Sequence, residues 1–178
     1  MSAARIVARH SVVVSPWVTL VAREVAVGDA AAETYHALEV ADYVSVLAIT
    51  AEGRVPLVRQ FRPALERMNI ELPGGLAEPD EAPAVTAARE LREEAGFVAP
   101  APPRALGRLE TDAGRLNNRM WGFFAAPVTR DGGGWRAEPG VEPLLWSVAE
   151  LRGAVADGRF SHAPHVALIG LAVLQGLI

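Results

Sequence analysis

The chain contains no cysteine and no lysine. Without thiols there are no disulfides, no thiolate metal sites and no cysteine nucleophile. Without lysine there is no Schiff-base chemistry and no phosphate loop ending in Gly-Lys; all 17 basic residues are arginine. Long apolar runs are missing too. The longest, Tyr43 to Thr50 and Val166 to Leu174, fall far short of the ~20 residues that cross a bilayer. Met1 to Ser15 has no sustained apolar stretch and no cleavage signal, so a cytoplasmic protein without membrane attachment is expected. A basic excess is lacking as well: the net charge of −4 argues against a nucleic-acid partner.

What remains is 178 residues, 51% hydrophobic and 21% charged, enough for one full core with a small appendage and too apolar for disorder. The first forty residues read as strands: Val18 to Val27, a turn at Gly28-Asp29, then Tyr35 to Val40. Residues 1–41 are therefore expected to form a small N-terminal antiparallel β subdomain, with the main domain at 42–178. Tyr43 to Thr50 is mostly apolar, as suits a strand covered on both faces, and Arg54 to Phe61 is expected to be its hairpin partner. Asn69 to Leu72 is a short strand ending at Pro73-Gly74-Gly75. From Ala82 to Ala95 the period becomes helical, with Pro83 in the first turn, Gly96 past the end, and an apolar stripe of Val85, Ala88, Leu91 and Ala95. Strands at Leu106 to Leu109, Met120 to Val128 and Leu144 to Trp146 follow. Arg130 to Gly140, with three consecutive glycines, reads as a mobile loop, and helices are expected near Val148 to Ala156 and Pro164 to Gly176. Mixed strands and helices indicate an α/β layered domain.

The chemistry sits in the helix. Glu90, Glu93 and Glu94 stand at i, i+3 and i+4, so their carboxylates leave from one edge. Like charges at that spacing cost roughly 0.2–0.5 kcal/mol per pair, and the last turn disfavours anions further. Arg89 and Arg92 relieve part of this, as on any solvated helix face; an oxygen-seeking dication would relieve more. The surroundings decide between the two. The full pattern is Gly75, five residues, Glu81, seven residues, then Arg89-Glu90-Leu91-Arg92-Glu93-Glu94-Ala95-Gly96-Phe97.

This pattern resembles the signature of the Nudix hydrolases, with Phe97 where an aliphatic residue is more usual. The resemblance implies a Nudix fold, an α/β/α sandwich around a mixed β-sheet, and Mg2+-dependent (or Mn2+-dependent) hydrolysis of a nucleoside diphosphate linked to a further group. It implies Glu90 and Glu94 as metal ligands, Glu93 assisting, the Gly74 carbonyl as a further ligand, and Glu81 joining when several ions bind. Arg89 would orient the carboxylates by bridging to Glu93.

Resemblance extends to the ADP-ribose and ADP-sugar pyrophosphatase branch through Val58-Arg59-Gln60-Phe61-Arg62-Pro63, Glu71-Leu72-Pro73-Gly74-Gly75 and Ser15-Pro16-Trp17-Val18. In that branch the N-terminal strands cross to a second subunit, so a homodimer is expected, with strand exchange open. Trp17 is expected either to stack on adenine or to pack at the dimer interface. Arg59 and Arg62 are candidates for phosphate or ribose oxygens, or for ordinary pairing with Glu66 or Glu71. The branch places a proline about fifteen residues past the box, where this chain has Ala113 before Gly114; that leaves the second half of the substrate open, with Asn117, Asn118 and Arg119 as candidate contacts. The general base is expected on the loop before the last strand, Glu142 ahead of Glu138, with Glu90 as the other choice. His162 and His165 lack a neighbouring carboxylate in sequence and read as helix-start or surface residues.

The substrate so implied is ADP-ribose or a related nucleoside diphosphate sugar, giving AMP and a sugar phosphate. A nucleoside triphosphate, a dinucleoside polyphosphate or coenzyme A is the alternative; a non-catalytic nucleotide-sugar sensor is the rival from another class. Glu71 to Glu94 carries seven acids and two bases, a net of −5, so the rest of the chain is +1. The acid surplus lies wholly in the segment expected to hold the metal.

Overall fold

A strand as apolar as Tyr43–Thr50 needs cover on both faces, and the computed structural model, which describes residues 3–78 and 80–178, provides it. In chain order the elements are β1 (Ala4–Ser15), β2 (Val18–Val27), β3 (Glu33–Glu39), β4 (Tyr43–Thr50), β5 (Arg54–Arg62), β6 (Arg67–Glu71), α1 (Pro83–Ala95), β7 (Phe97–Val98), β8 (Arg104–Glu110), β9 (Arg119–Arg130), β10 (Val141–Ser147), α2 (Val148–Ala156) and α3 (Ala163–Leu174). The expected mixed α/β class is what forms. The chain makes two compact units, Met1–Asp42 with Glu110–Arg119, and Tyr43–Leu109 with Met120–Ile178. Of the segment 1–41 read as a β subdomain, residues 1 and 2 lie outside the described residues.

The first unit is an antiparallel meander, β1-β2-β3, with irregularities in β1 between Ile6 and Ala8 and between Val13 and Ser15. Its β3 edge is covered by the loop 110–119: Leu38 N–H donates to Arg115 O at 2.7 Å, and Asn117 N–H donates to Leu38 O at 3.3 Å. Covering an edge in this way removes a site for unwanted strand pairing.

The second unit holds two sheets, β10-β5-β6 and β4-β9-β7, with β8 added to β9. β4 and β9 run parallel, Val46 opposite Phe123. Side chains of β4 alternate between two apolar clusters, as a strand's period of two requires. Val44, Val46 and Ala48 join Ala87, Leu91 and Ala95 of α1, while Leu47 joins Leu151 of α2 and Leu168, Ile169 and Ala172 of α3. Helices thus cover both faces. Phe97 is buried in the first of these clusters, with the Arg130 guanidinium 4.5 Å above its ring.

Two local expectations are corrected. Arg54–Arg62 is not the hairpin partner of Tyr43–Thr50: β5 pairs with β10 and β6, while β4 pairs with β9. The tight turn at Gly53, whose φ is +71°, passes the chain from one sheet to the other. The stripe of α1 is also rotated. Val85 is exposed, and Ala87, Leu91 and Ala95 face β4 and β10. Small residues let the helix come close to the sheet, and Val85 falls off that face.

Candidate active site

The rotation of α1 is what buries its acids. Glu90 and Glu94 each precede a core residue, Leu91 and Ala95, so they sit at the rim of the packed face and are 9% and 7% exposed. Glu93 stays half exposed. Helix α1 starts at Pro83 and stops at Gly96, whose φ of +72° gives the left-handed cap that glycine adopts without strain.

Arg89 binds the acids together. Its guanidinium donates to Glu90 Oε1 at 2.9 Å, to Glu93 Oε2 at 2.8 Å, and to both oxygens of Glu81 at 3.0 and 3.1 Å. Thr86 Oγ1 adds a bond to Glu81 at 2.9 Å. These hydrogen bonds, that from Arg89 foremost, hold the Glu81 carboxyl down at about 2. Glu94 is in the opposite situation. Burial raises it, the charges of Glu90 and Glu138 add to the effect, and the Gly74 N–H only partly offsets them, so its carboxyl is pushed up to about 7. Glu90 is also raised, by burial first, with Glu93 and Glu138 adding and Arg89 opposing.

The turn 73–75 lies beside these acids because it extends the sheet. Val44 N–H donates to Gly75 O and Val46 N–H to Pro73 O, both at 2.9 Å, while Gly74 N–H donates to Glu94 Oε2 at 2.9 Å. A Cβ on Gly75 would come within 2.4 Å of Glu90 Oε1. The structure therefore brings together Gly74, Glu81, Arg89, Glu90, Glu93 and Glu94. The donors are hard oxygens, several are buried, and Arg89 spreads one positive charge over three carboxylates; that set suits a magnesium-like dication.

Of the two candidate carboxylates Glu138 lies on the loop, and its charge is felt at Glu90 and Glu94; Glu142, expected on that loop, lies instead in β10, which begins at Val141. Glu142 stands across from Arg59 in the β10–β5 register and accepts from its Nε at 2.9 Å. Arg62 is likewise paired, donating through Nε to Glu71 at 2.8 Å, and Asn69 donates to Glu71 at 2.9 Å. Burial alone would raise Glu71, but Arg62 and Asn69 outweigh it and hold its carboxyl at about 2. Asn118 is spent within its own unit, accepting from Thr111 and donating to Ala41 O, and Arg119 N–H caps Asp42 at 2.8 Å. Trp17, in the turn between β1 and β2, is 70% exposed.

The histidines sit at a helix start, as expected: His162 precedes α3 and His165 lies in its first turn, where it is buried and its Nδ1 accepts from Leu72 N–H at 3.1 Å. With Tyr43, Arg62, Glu71 and His162 it lines a cavity of about 360 Å³ next to Gly74 and Gly75. Single ligand atoms of Glu71, His162 and His165 lie within 4.8 Å of one another. Chemistry argues against a metal there. The Leu72 bond takes the lone pair of His165 Nδ1, which leaves the proton on Nε2, and Arg62 and Asn69 already occupy Glu71. No local signal marks His165, since its partner is remote in the chain.

Burial first, with His162 adding, pushes His165 down to about 3. The unfolded chain protonates this residue near 6.5, so between the two values the unfolded state binds more protons and stability falls as pH is lowered. About 2 kcal/mol should be lost from this group between pH 7 and pH 4.5. His165→Leu should be less stable at pH 7 by about 1–3 kcal/mol, because Leu72 N–H is left without its partner, and flatter toward acid. Urea unfolding at both pH values checks this; equal slopes in the two proteins would refute it.

Comparison with known proteins adds the context. The NUDIX domain family model matches residues 40–167. An ADP-ribose pyrophosphatase of Bacillus subtilis (strain 168) is 52% identical over 56 residues, 32% of this chain and 30% of the relative. A methanol dehydrogenase activator of Bacillus methanolicus is 48% identical over 54 residues, 30% of this chain and 29% of its own. An ADP-ribose pyrophosphatase of Mycobacterium tuberculosis (strain ATCC 25618 / H37Rv) is 46% identical over 57 residues, 32% of this chain and 28% of its own. These matches thus span under a third of the curated relatives' length. A crystal structure of an ADP compounds hydrolase superposes with a TM-score of 0.82 at 21% identity, over 98% of this chain and 97% of that one, which shows a shared fold.

Proposed function

The chain belongs to the NUDIX domain family, and from that premise we propose that it hydrolyses the diphosphate bond of ADP-ribose or a related nucleoside diphosphate sugar. The products are a nucleoside monophosphate (AMP from ADP-ribose) and a sugar phosphate, and the reaction needs magnesium or manganese. One observation carries the reading: Glu90 and Glu94 are buried together at the Gly74 turn, where burial first, with the charges of Glu90 and Glu138 adding, pushes Glu94 up to about 7. Such a site is built around a cation.

Glu90, Glu93, Glu94 and the Gly74 carbonyl would hold the ion, with Glu81 in reserve. When bound, the ion supplies charge neutralisation at the diphosphate and a more acidic water. The remaining work falls to the chain. Arg89 keeps Glu81, Glu90 and Glu93 in one orientation. Glu138 takes the proton of the attacking water as its oxygen bonds to phosphorus and the bridging P–O bond breaks; it replaces Glu142, which Arg59 engages. Arg62, fixed by Glu71 at the cavity beside Gly74, faces substrate oxygens. Exposed Trp17 offers a face for stacking on adenine or for packing against a second subunit, a pairing that the exposed Val12, Val13 and Val14 of β1 also support.

The test is a panel at equal concentration with magnesium: ADP-ribose, ADP-sugars, nucleoside triphosphates, dinucleoside polyphosphates and coenzyme A. AMP release should be fastest from ADP-ribose or an ADP-sugar. No AMP from any of these would end the assignment.

A further inference from the structure

The glycine-rich stretch expected to be mobile is fastened to the end of α1. Asp131 N–H donates to Gly96 O at 2.9 Å, Arg92 Nε donates to Asp131 Oδ2 at 2.8 Å, and Gly133 N–H folds back onto Asp131 Oδ1 at 3.0 Å. The third fastening is Trp135. Its indole N–H donates to Glu93 O at 2.9 Å, using a carbonyl that the last helical turn leaves without an intrahelical partner. Its ring lies on Gly96, where a Cβ would sit 2.6 Å from ring carbons. Gly96 therefore does two things: it ends the helix and it opens a seat for the indole.

Glu138 lies three residues beyond Trp135, and both line one cavity of about 390 Å³ with Arg92 and Glu93. On its far side the segment is pinned where Val141 pairs with Gln60 at the start of β10. The span carrying Glu138 is residues 136–140, closed on the β10 side by a turn in which Val141 N–H donates to Glu138 O at 3.1 Å, so the Trp135 anchor fixes its other side. Without the Trp135 anchor it would run from about residue 134, a longer and more variable loop.

We propose that Trp135 is a positioning residue that sets Glu138 against the Glu90–Glu94 carboxylates by docking its indole on Gly96 and Glu93. This rests on the proposed role of Glu138 as proton acceptor. A misplaced base lowers the rate of the chemical step while leaving substrate binding nearly intact.

The experiment is a double-mutant cycle on kcat and KM for ADP-ribose with magnesium, using Trp135→Ala and Glu138→Gln. Trp135→Ala alone should lower kcat about 10-fold with KM changed less than about 2-fold. In the Glu138→Gln background the same change should cost less than about 2-fold, because the group it positions is already gone. Trp135→Phe, which keeps a ring on Gly96 but loses the N–H, should fall between and carries the same comparison if the alanine variant does not fold. Equal factors in the two backgrounds would overturn the proposal and leave the role of Glu138 standing. Wild-type kcat in Glu138→Gln would overturn both.

Discussion

Glu94→Gln should lower kcat by about 10³-fold or more while the protein keeps its fold. The substitution isolates charge from structure. Glutamine retains an oxygen that accepts from Gly74 N–H, so the turn beside β4 keeps its tie to α1. What disappears is a buried negative charge held beside Glu90 and within reach of Glu138, the condition that pushes Glu94 up to about 7. Without metal, the variant should be at least as stable as the parent at pH 8, since the penalised charge is removed. With magnesium, the parent's Tm should rise and the variant's should not. The parent's rise should also shrink below about pH 7, where a proton competes with the ion for Glu94. Thermal melts with and without magnesium at pH 6 and pH 8, alongside kcat, check all three. Full turnover in the variant would show that this carboxylate is not part of the metal site.

The limits of α1 were legible because their causes are local. Pro83 and Gly96 mark its ends, and the spacing of Glu90, Glu93 and Glu94 places them on one edge whatever the helix packs against. The face it buries was not legible, since hydrophobicity ranks Val85 above Ala87 whereas close approach to β4 selects the smaller side chain. Strand partners posed the same difficulty. A turn of two or three residues between apolar runs reads as a hairpin, but whether the strands pair or part into separate sheets depends on β9 and β10, far along the chain. Weighing Glu138 against Glu142 needed the β5–β10 register, which sets Arg59 directly across from Glu142, where it donates to that carboxylate. His165 met its Leu72 partner only through the packing of α3. Trp135 gave one faint sign, a lone aromatic just after three glycines.

The largest combined loss of stability and activity should come from Gly74→Ala, and here glycine is required for space and not for an unusual φ. A Cβ at this position would lie 2.2 Å from Val44 O and 2.9 Å from Ser45 Cα. Both are backbone atoms of β4, so no side-chain rotation relieves the clash. The turn would have to lift from β4, straining the bonds from Val44 N–H to Gly75 O and from Val46 N–H to Pro73 O. Overpacking of this kind costs about 1–3 kcal/mol, and each weakened hydrogen bond adds about 1 kcal/mol. The same lift moves the Gly74 carbonyl and its N–H away from Glu94, so activity should fall with stability. Gly75→Ala supplies the contrast. The atoms nearest its Cβ are all at the far end of the Glu90 side chain, and that carboxylate can swing aside. The second variant should melt close to the parent yet lose most of its turnover, because Glu90 is displaced from Arg89 and from its place beside Glu94. Melting curves and kcat for the pair separate the two effects. A Gly74→Ala protein with the parent's Tm would mean that β4 and the turn are not in the close contact from which the site is built.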